Sequence, residues 1–290
     1  MSLKKIISKW ILPPGIYSCL LSAKQTLFWN KNVEEYDKSL SEEDIVLLKK
    51  TTNLENLYKD KRCFILGAGS SIKHHDLKKL QGEFIISVSN TYVHPDFLLI
   101  RPQYHVLPHI FTTHAKSMDA QNLINWLADM DKHLGNAEIF LHIKDKKLIN
   151  QNKLFEGRMI HWVDYAKWNK DFSTPIDLAR VPRIWSVSEL ALTIAVYMGF
   201  ESIYLIGIDH DWFNGVFNYF YDDKTQHKAM PDQKLLPHVD AEFQMRRHAE
   251  IFHKYKYLYA IKKNIFNANA NPRHYMDVFP KVNYDSLFMD

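Results

Sequence analysis

Six short apolar runs alternate with longer amphipathic stretches between residues 60 and 262 of the chain. The runs are rich in β-branched and aromatic residues, which is typical of strands buried on both faces of a sheet. They cover residues 63–66, 84–88, 104–107, 138–142, 159–163 and 202–206. A seventh run, residues 265–269, ends in polar amides. The pattern therefore predicts seven short strands.

Apolar residues at helical spacing occupy the intervals between these runs. They predict helices over residues 41–50, 71–80, 115–134, 144–155, 188–198 and 239 to about 262. Strands that alternate with helices indicate a mostly parallel sheet covered on both faces. We therefore predict an α/β fold, a Rossmann-like doubly wound sheet with helices on both faces.

The chain divides into an N-terminal helical extension, residues 1–58, and a Rossmann-like domain, residues 59–290. A capping-box-like sequence, Ser41 to Asp44, opens the helical part of the extension. Residues 210–237 are polar, aromatic and irregular. A loop of this length inside a compact domain is usually functional, so we predict a lid-like insertion there.

The formal charge of +4 is concentrated at the N-terminus. Five lysines and no acidic residue precede Glu34, so residues 1–33 carry +5 and the remainder carries 4 − 5 = −1. A nearly neutral body argues against nucleic-acid binding, which needs a basic stripe across the folded face. The basic segment suits an anionic membrane surface. Packing of the segment on its own domain is the alternative, and a homo-oligomer is also open.

We expect a cytoplasmic protein, peripheral on the inner membrane if residues 1–33 contact lipid. Prolines at 13 and 14 interrupt the longest apolar stretch near the N-terminus, so neither a membrane span nor a signal peptide is expected. Only Cys19 and Cys63 are present, without a CxxC pattern. This cysteine usage fits a reducing compartment and no structural zinc.

Glycine is scarce, with 9 in 290 residues, and Gly67 and Gly69 follow the first predicted strand in the sequence Gly-Ala-Gly-Ser-Ser. Glycines let a ligand approach the backbone, and the next helix offers free N–H groups to a phosphate. We therefore predict that Gly67, Gly69, Ser70 and Ser71 bind a nucleotide. The dinucleotide fingerprint is incomplete, because Ile72 replaces its third glycine. A tight turn without a ligand is the alternative.

Asn90 ends the second predicted strand, on the same edge of the sheet as the glycines. Its side-chain amide is suited to hydrogen-bonding the edge of a nucleotide base or sugar. The alternative is that the amide forms an Asx turn with its own backbone.

Residues 183–209 form a second junction of the same kind. Ser186 and Ser188 open a buried helix, where an anion would be stabilised. A glycine ends this helix and another ends the following strand, directly before Asp209. Arg183 suits bidentate binding of a phosphate or carboxylate, although a surface ion pair is equally compatible with its position.

No metal site is predicted. His105, His109 and His114 cluster in the sequence, but they have no carboxylate or cysteine partner at ligand spacing.

These motifs, in this order, resemble bacterial sialyltransferases of the Campylobacter lipooligosaccharide type, and the wider group that includes flagellin-modifying motility-associated proteins and an archaeal pterin diphosphokinase. The resemblance covers roughly residues 60 to 270 and rests on the Gly-x-Gly-x-Ser turn, Asn90, the Ser-Val-Ser helix and the Ile-Tyr-Leu-Ile-Gly-Ile-Asp strand.

The resemblance implies an enzyme that transfers an acidic nine-carbon sugar from a CMP-activated donor to a hydroxyl of a surface glycan, as in lipopolysaccharide or capsule synthesis. Transfer would be inverting and metal-independent, with the CMP-sugar as a substrate and no cofactor. The glycine turn and Asn90 would cradle the nucleotide, and Ser186 and Ser188 would lie near the donor phosphate or carboxylate. Asp209 is included in the donor site.

By the same resemblance, a histidine before the last long helix is the general base, and His238 occupies the matching position. Histidine titrates near neutral pH, which suits the activation of a hydroxyl. His210 is the second candidate. Tyrosines after the Gly-Ile-Asp strand assist the leaving phosphate in such enzymes. Tyr219 and Tyr221 are the candidates here, although Trp212 stands near the place of the first tyrosine.

Two alternatives stay open. A pterin diphosphokinase-like enzyme would transfer pyrophosphate from ATP and would need Mg²⁺, for which Asp209 and Asp211 are the candidate ligands. The second alternative is a nucleotide-sugar-binding protein without catalytic activity, because the first of the expected leaving-group tyrosines is missing.

Overall fold

The computed structural model describes residues 39–110, 120–165, 176–210, 219–221, 241–269 and 276–289. All seven predicted strands are present. They are β1 (Arg62–Leu66), β2 (Phe84–Val88), β3 (Tyr104–Val106), β4 (Glu138–His142), β5 (Ile160–Val163), β6 (Ser202–Ile206) and β7 (Ile265–Asn267).

The strands form one sheet in the order β5-β4-β3-β2-β1-β6-β7. All six pairings between these strands are parallel, so the sheet is more regular than the mostly parallel one that the sequence predicts. The chain builds outward from β1 to β5 and then returns to the free side of β1 with β6. The strand order reverses between β1 and β6, and in α/β sheets this point opens a crevice at the carboxyl ends of the strands.

Six α-helices lie in the described residues. They are α1 (Glu42–Lys49), α2 (Phe97–Ile100), α3 (Ala120–His133), α4 (Lys146–Gln151), α5 (Val187–Tyr197) and α6 (Ala241–Ile261). The predicted capping box of α1 is present, because the Ser41 and Asp44 side chains each accept the other residue's backbone N–H. Among these helices, none combines the length and apolar character that a membrane span requires.

The predicted helix over residues 71–80 is wrong. Two 3-10 helices replace it, Ser70–His74 and Leu77–Leu80. The chain is extended at His75, whose Nε2 lies 2.8 Å from the Ala268 carbonyl, and the Asp76 side chain then accepts the Lys78 N–H at 3.1 Å. A short polar side chain that bonds to nearby backbone competes with helix continuation in this way.

Side chains alternate between the two faces of the sheet, as β1 illustrates. Cys63 and Ile65 lie in the core beneath α5 and α6, whereas Phe64 and Leu66 lie in the core beneath the 3-10 helices. A third core lies between α3 and the β4 side of the sheet. The sheet is therefore covered on both faces, as predicted.

Most of the N-terminal extension and of the predicted lid lies outside the described residues. The structure describes the extension from residue 39 and, within residues 210–237, only His210 and residues 219–221.

A buried ion pair joins α5 to α6. The Lys254 Nζ lies 2.6 Å from Glu189 Oε1, and both side chains are at most 3% exposed. The other Glu189 oxygen accepts the Trp185 N–H at 3.0 Å, directly before α5. Burial raises the pKa of Glu189, although Lys254 counteracts that effect.

We expect Lys254→Met to destabilise the protein by about 3–5 kcal/mol, because it leaves the Glu189 carboxylate buried without its cation. Urea unfolding followed by circular dichroism measures this change. The double variant Glu189→Leu/Lys254→Met should recover most of the loss, since no buried charge remains. A double variant as unstable as Lys254→Met would show that the uncompensated charge is not the cause.

Candidate functional site

The carboxyl ends of β1 and β6 approach each other through glycine backbone. Gly67 N–H donates to the Ile206 carbonyl and Gly69 N–H donates to the Gly207 carbonyl, both at 2.8 Å. A Cβ on Gly67 would lie 2.3 Å from the Gly207 carbonyl oxygen, and Gly207 has a φ of +65°. Only glycine fits these constraints at both positions. We call residues 67–71 the glycine turn.

Asp209 lies under the glycine turn. Its carboxylate accepts the Ser71 N–H at 2.9 Å and also the Ser71 hydroxyl. The side chain is buried, and it caps the 3-10 helix that starts at Ser70. In the structure Ser71 and Asp209 contact each other, and their predicted contact with a donor stays a prediction. Gly69 and Ser70 are partly exposed at the mouth of the turn.

Asn269, two residues after β7, hydrogen-bonds to the backbone of the segment that follows β6. Its amide donates to the Ile208 carbonyl at 2.8 Å and accepts the Ile208 N–H at 3.2 Å. The segment after β6 is therefore fixed between Asn269 and the glycine turn.

Residues 219–221 cross the glycine turn. Tyr219 forms an antiparallel bridge with Gly69, and the Phe220 N–H donates to the Ala68 carbonyl at 3.2 Å. The Tyr219 and Tyr221 rings stack with centroids 5.2 Å apart and planes 2° from parallel. Both predicted tyrosines thus lie beside the predicted nucleotide turn.

Asn90 follows β2 and is 7% exposed. Its amide nitrogen donates to the Tyr221 hydroxyl at 3.0 Å, and its carbonyl accepts from Trp126 Nε1 at 2.9 Å. This side chain connects α3 to the tyrosine pair and does not form the Asx turn considered above. Preceding Ser89 has a φ of +50°, which is uncommon for a residue other than glycine.

The Ser186 and Ser188 side chains lie in a buried hydrogen-bonded cluster at the start of α5. Their hydroxyl oxygens are 2.7 Å apart, and Ser188 Oγ lies 3.1 Å from the Tyr255 hydroxyl of α6. Tyr255 in turn lies 2.9 Å from His210 Nε2. Ser186 occupies the N-cap position of α5, but its side chain makes no capping bond.

His210, the second candidate base, is 4% exposed. Burial, reinforced by His248 and Arg247, lowers the pKa of His210 to about 3. The imidazole is therefore neutral at physiological pH. His248 Nε2–H donates to the His210 carbonyl at 3.2 Å, and the His210 backbone has a φ of +49°. Strained backbone of this kind is frequent at functional sites.

Two arginines lie near the start of α5. The Arg183 guanidinium lies 3.5 Å from the centroid of the Trp185 ring, and Arg247 of α6 donates to the Trp185 carbonyl at 2.8 Å. Burial lowers the pKa of both guanidinium groups, and the negative charge of an ionised Tyr219 hydroxyl would raise that of Arg247. Arg247 is thus near both the tyrosine pair and the serine cluster.

Sequence reasoning missed Trp126, Arg247 and Tyr255, and it noted Asn269 only as one of the polar amides that end the seventh run, not as a partner of the Ile208 backbone. The helical period of α3 and α6 marks their apolar faces but carries no signal for polar partners on another element. His238, Asp211 and Trp212 lie outside the described residues, so their predicted roles stay predictions.

Comparisons with known proteins give one matching family and one similar solved structure to report. The model of the family described as 6-hydroxymethylpterin diphosphokinase MptE-like matches residues 41–215, which confirms the resemblance to that group. Among solved structures, a mammalian sialyltransferase in complex with Gal-beta-1-3GalNAc-ortho-nitrophenol is similar at 12% identity and a TM-score of 0.40, with 86% of each chain covered. No curated protein matches the sequence.

We expect acid to destabilise the protein partly through His210. Its pKa is about 3 when folded and about 6.5 when exposed, so the unfolded chain binds more protons between these values. The free energy of unfolding should therefore fall by about 1 kcal/mol per pH unit as the pH decreases from 6.5. Buried His105, whose pKa is also lowered to about 3, should likewise lower the free energy of unfolding as the pH falls.

Urea unfolding at a series of pH values tests this expectation. His210→Gln should reduce the slope between pH 6.5 and 5, whereas His253→Gln, on the exposed side of α6, should leave it unchanged. Equal slopes in the wild type and His210→Gln would contradict a neutral buried His210.

Proposed function

This chain belongs to the family of 6-hydroxymethylpterin diphosphokinase MptE-like proteins, and we propose that it is a transferase whose nucleotide-activated donor binds against the glycine turn. The observation that carries the proposal is the stacked tyrosine pair, which crosses the glycine turn at the point where the strand order reverses. This crevice is where doubly wound sheets bind nucleotides.

We propose further that the donor is a CMP-activated acidic sugar, either sialic acid or another nonulosonic acid. Such a donor brings a phosphate and a sugar carboxylate into the same pocket. Arg183 and Arg247 supply fixed positive charge beside the serine cluster, and a guanidinium suits either anion. Hydroxyl donors at Tyr219 and Tyr221 would stabilise the charge that develops on the departing phosphate.

In the proposed reaction, a hydroxyl of a surface glycan attacks the anomeric carbon of the sugar from the face opposite CMP. His238 accepts the hydroxyl proton, the new glycosidic bond forms, and the bond between the sugar and the phosphate oxygen breaks. CMP leaves with that electron pair, and the configuration inverts. His238 takes this role because His210 is buried and has a pKa of about 3, which makes it a weak base.

A pyrophosphoryl transfer from ATP to a pterin is the second candidate function, and the family description favours it. That reaction needs Mg²⁺ bound by carboxylates beside the phosphates. Asp209 is the carboxylate that the structure describes at the turn, and it accepts the N–H and the hydroxyl of Ser71. For this reason we rank sugar transfer first.

Nucleotide binding is tested by calorimetry with CMP, CDP and ATP, each with and without Mg²⁺. We expect CMP and CDP to bind in the absence of Mg²⁺, and ATP to bind weakly in either condition. Gly69→Ala should abolish this binding, because its Cβ would lie 2.5 Å from Asp209 Oδ2 and displace the turn. Overpacking of this kind also costs about 1–3 kcal/mol of stability.

Gly82→Ala is the matched control, since a Cβ there meets nothing within 4 Å. This variant strains the backbone at a φ of +83° but leaves the turn intact, so it should bind CMP like the wild type. Strict Mg²⁺ dependence with a preference for ATP would reject the sugar donor and support the pyrophosphoryl transfer.

Assays of donor hydrolysis and of sugar transfer from CMP-activated acidic sugars test the proposed reaction. His238→Ala should lower kcat by about 10²–10⁴-fold while CMP still binds, because only the base is removed. Tyr221→Phe should lower kcat by about a hundredfold through loss of one hydrogen-bond donor.

Tyr259→Phe, whose ring packs on Phe279 near the end of α6, is the control and should retain full activity. If CMP binds but neither hydrolysis nor transfer is detected with any donor, the protein is a nucleotide-sugar-binding protein without catalysis.

A further inference from the structure

A second polar cluster lies at the carboxyl ends of β3 and β4, away from the glycine turn in the strand order. It contains His109, after β3, together with His142 at the end of β4 and Asp145 in the 3-10 helix that follows. One ligand atom from each of the three side chains lies within 4.8 Å of the other two. We propose that these three residues bind a divalent transition-metal ion of the zinc class.

The central contact has the dimensions of a metal site. His109 Nδ1 lies 2.8 Å from Asp145 Oδ1, and the His109 and His142 rings stack with centroids 4.2 Å apart. Neighbouring ligands that bind one zinc ion at 2.0–2.1 Å are about 3 Å apart. The ion would replace the proton shared by His109 and Asp145, and the His142 ring would turn out of its stacked position to direct a nitrogen at the ion.

Surrounding groups orient the ligands. The His142 Nδ1 accepts the Lys144 N–H at 3.1 Å, so Nε2 carries the proton, and Nε2 lies 3.2 Å from Asp164 Oδ1. A histidine with one N–H on a carboxylate and a lone pair on the other nitrogen has the tautomer of a metal ligand. The metal would take the place of the Lys144 amide as the partner of that lone pair.

Asp145 is oriented in the same way. Its second oxygen accepts the Ile110 N–H at 3.0 Å, which directs the first oxygen toward His109. Tyr165 fixes the His109 backbone, because its hydroxyl accepts the His109 N–H.

Burial and charge favour a dication at this place. The Asp145 and Asp164 side chains are 0% and 5% exposed, and that of His142 is 3% exposed. Carboxylates in a poorly solvated position favour a cation beside them. Two imidazole nitrogens and a carboxylate oxygen are ligands that zinc prefers.

Three protein ligands leave a coordination position for water or a small anionic ligand, as in catalytic rather than structural zinc sites. The sugar transfer proposed above makes no use of this ion, so either proposal can fail without the other. Sequence spacing gave no sign of the site because Asp145 is 36 residues from His109. His105 is closer to His109 in the sequence but is not one of the three proposed ligands. Its Nδ1 lies 2.8 Å from the Ser87 hydroxyl.

The test is zinc binding by the full-length protein after treatment with a chelator. Titration calorimetry with zinc chloride should show one ion per chain, and zinc should raise the Tm. His109→Gln and Asp145→Asn should each weaken zinc binding about tenfold or more.

His161→Gln is the matched control. His161 Nε2 also lies close to a carboxylate, 2.5 Å from Glu138 Oε2, and its side chain is 13% exposed against 15% for His109. No third ligand lies beside this pair among the residues that the structure describes, so the variant should bind zinc like the wild type. An equal loss in His161→Gln, or a wild type that binds no stoichiometric zinc, would overturn the proposal.

Measurements on the wild type decide the question even if the variants fail to fold. Crystals soaked in zinc should give an anomalous difference peak between His109 and Asp145. Cobalt in place of zinc should give the visible absorption of a tetrahedral site. Zinc peaks only at other positions would show that the cluster is two structural histidine–aspartate pairs.

Discussion

The close approach of Gly67 and Gly207 is the contact on which the site depends. The two backbones leave no room for a side chain between the ends of β1 and β6. Because the approach is so close, the segment after β6 passes directly beneath the glycine turn, and the Asp209 carboxylate reaches Ser71. The turn can then pair with residues 219–221 on its other side. A larger residue at either glycine would separate the strand ends and remove both contacts.

Buried polar groups connect this junction to the long helix α6. Glu189 and Lys254 join the first turn of α5 to α6, and Tyr255 lies between Ser188 and His210. Each of these groups is costly to bury alone and is stabilised by its partner. The position of α6 therefore controls the start of α5, the backbone after β6 and the Arg247 guanidinium together.

The fold was largely predictable because its signals are local. Each strand is a short apolar run, and the two glycine junctions mark the adjacent carboxyl ends of β1 and β6, where the strand order reverses. The errors have a common cause in contacts between distant residues. His75 bonds to Ala268 and interrupts the expected helix, and Asn90 bonds to Trp126 rather than to its own backbone. His109 gains its carboxylate partner from Asp145, in the 3-10 helix that follows the next strand, β4. Neither periodicity nor motif spacing encodes such pairs.

The capping role of Asp209 changes where a donor phosphate can bind. In a typical glycine-turn site, the phosphate accepts the N–H groups at the start of the following helix. Here Ser71 already donates both its N–H and its hydroxyl to Asp209, so a negative side chain takes the place of the anion. A phosphate that approached the same amide would also meet the charge of this carboxylate. In the proposed sugar transfer, we therefore expect the donor phosphate to bind toward residues 219–221 and α6, which is the side from which leaving-group assistance would come.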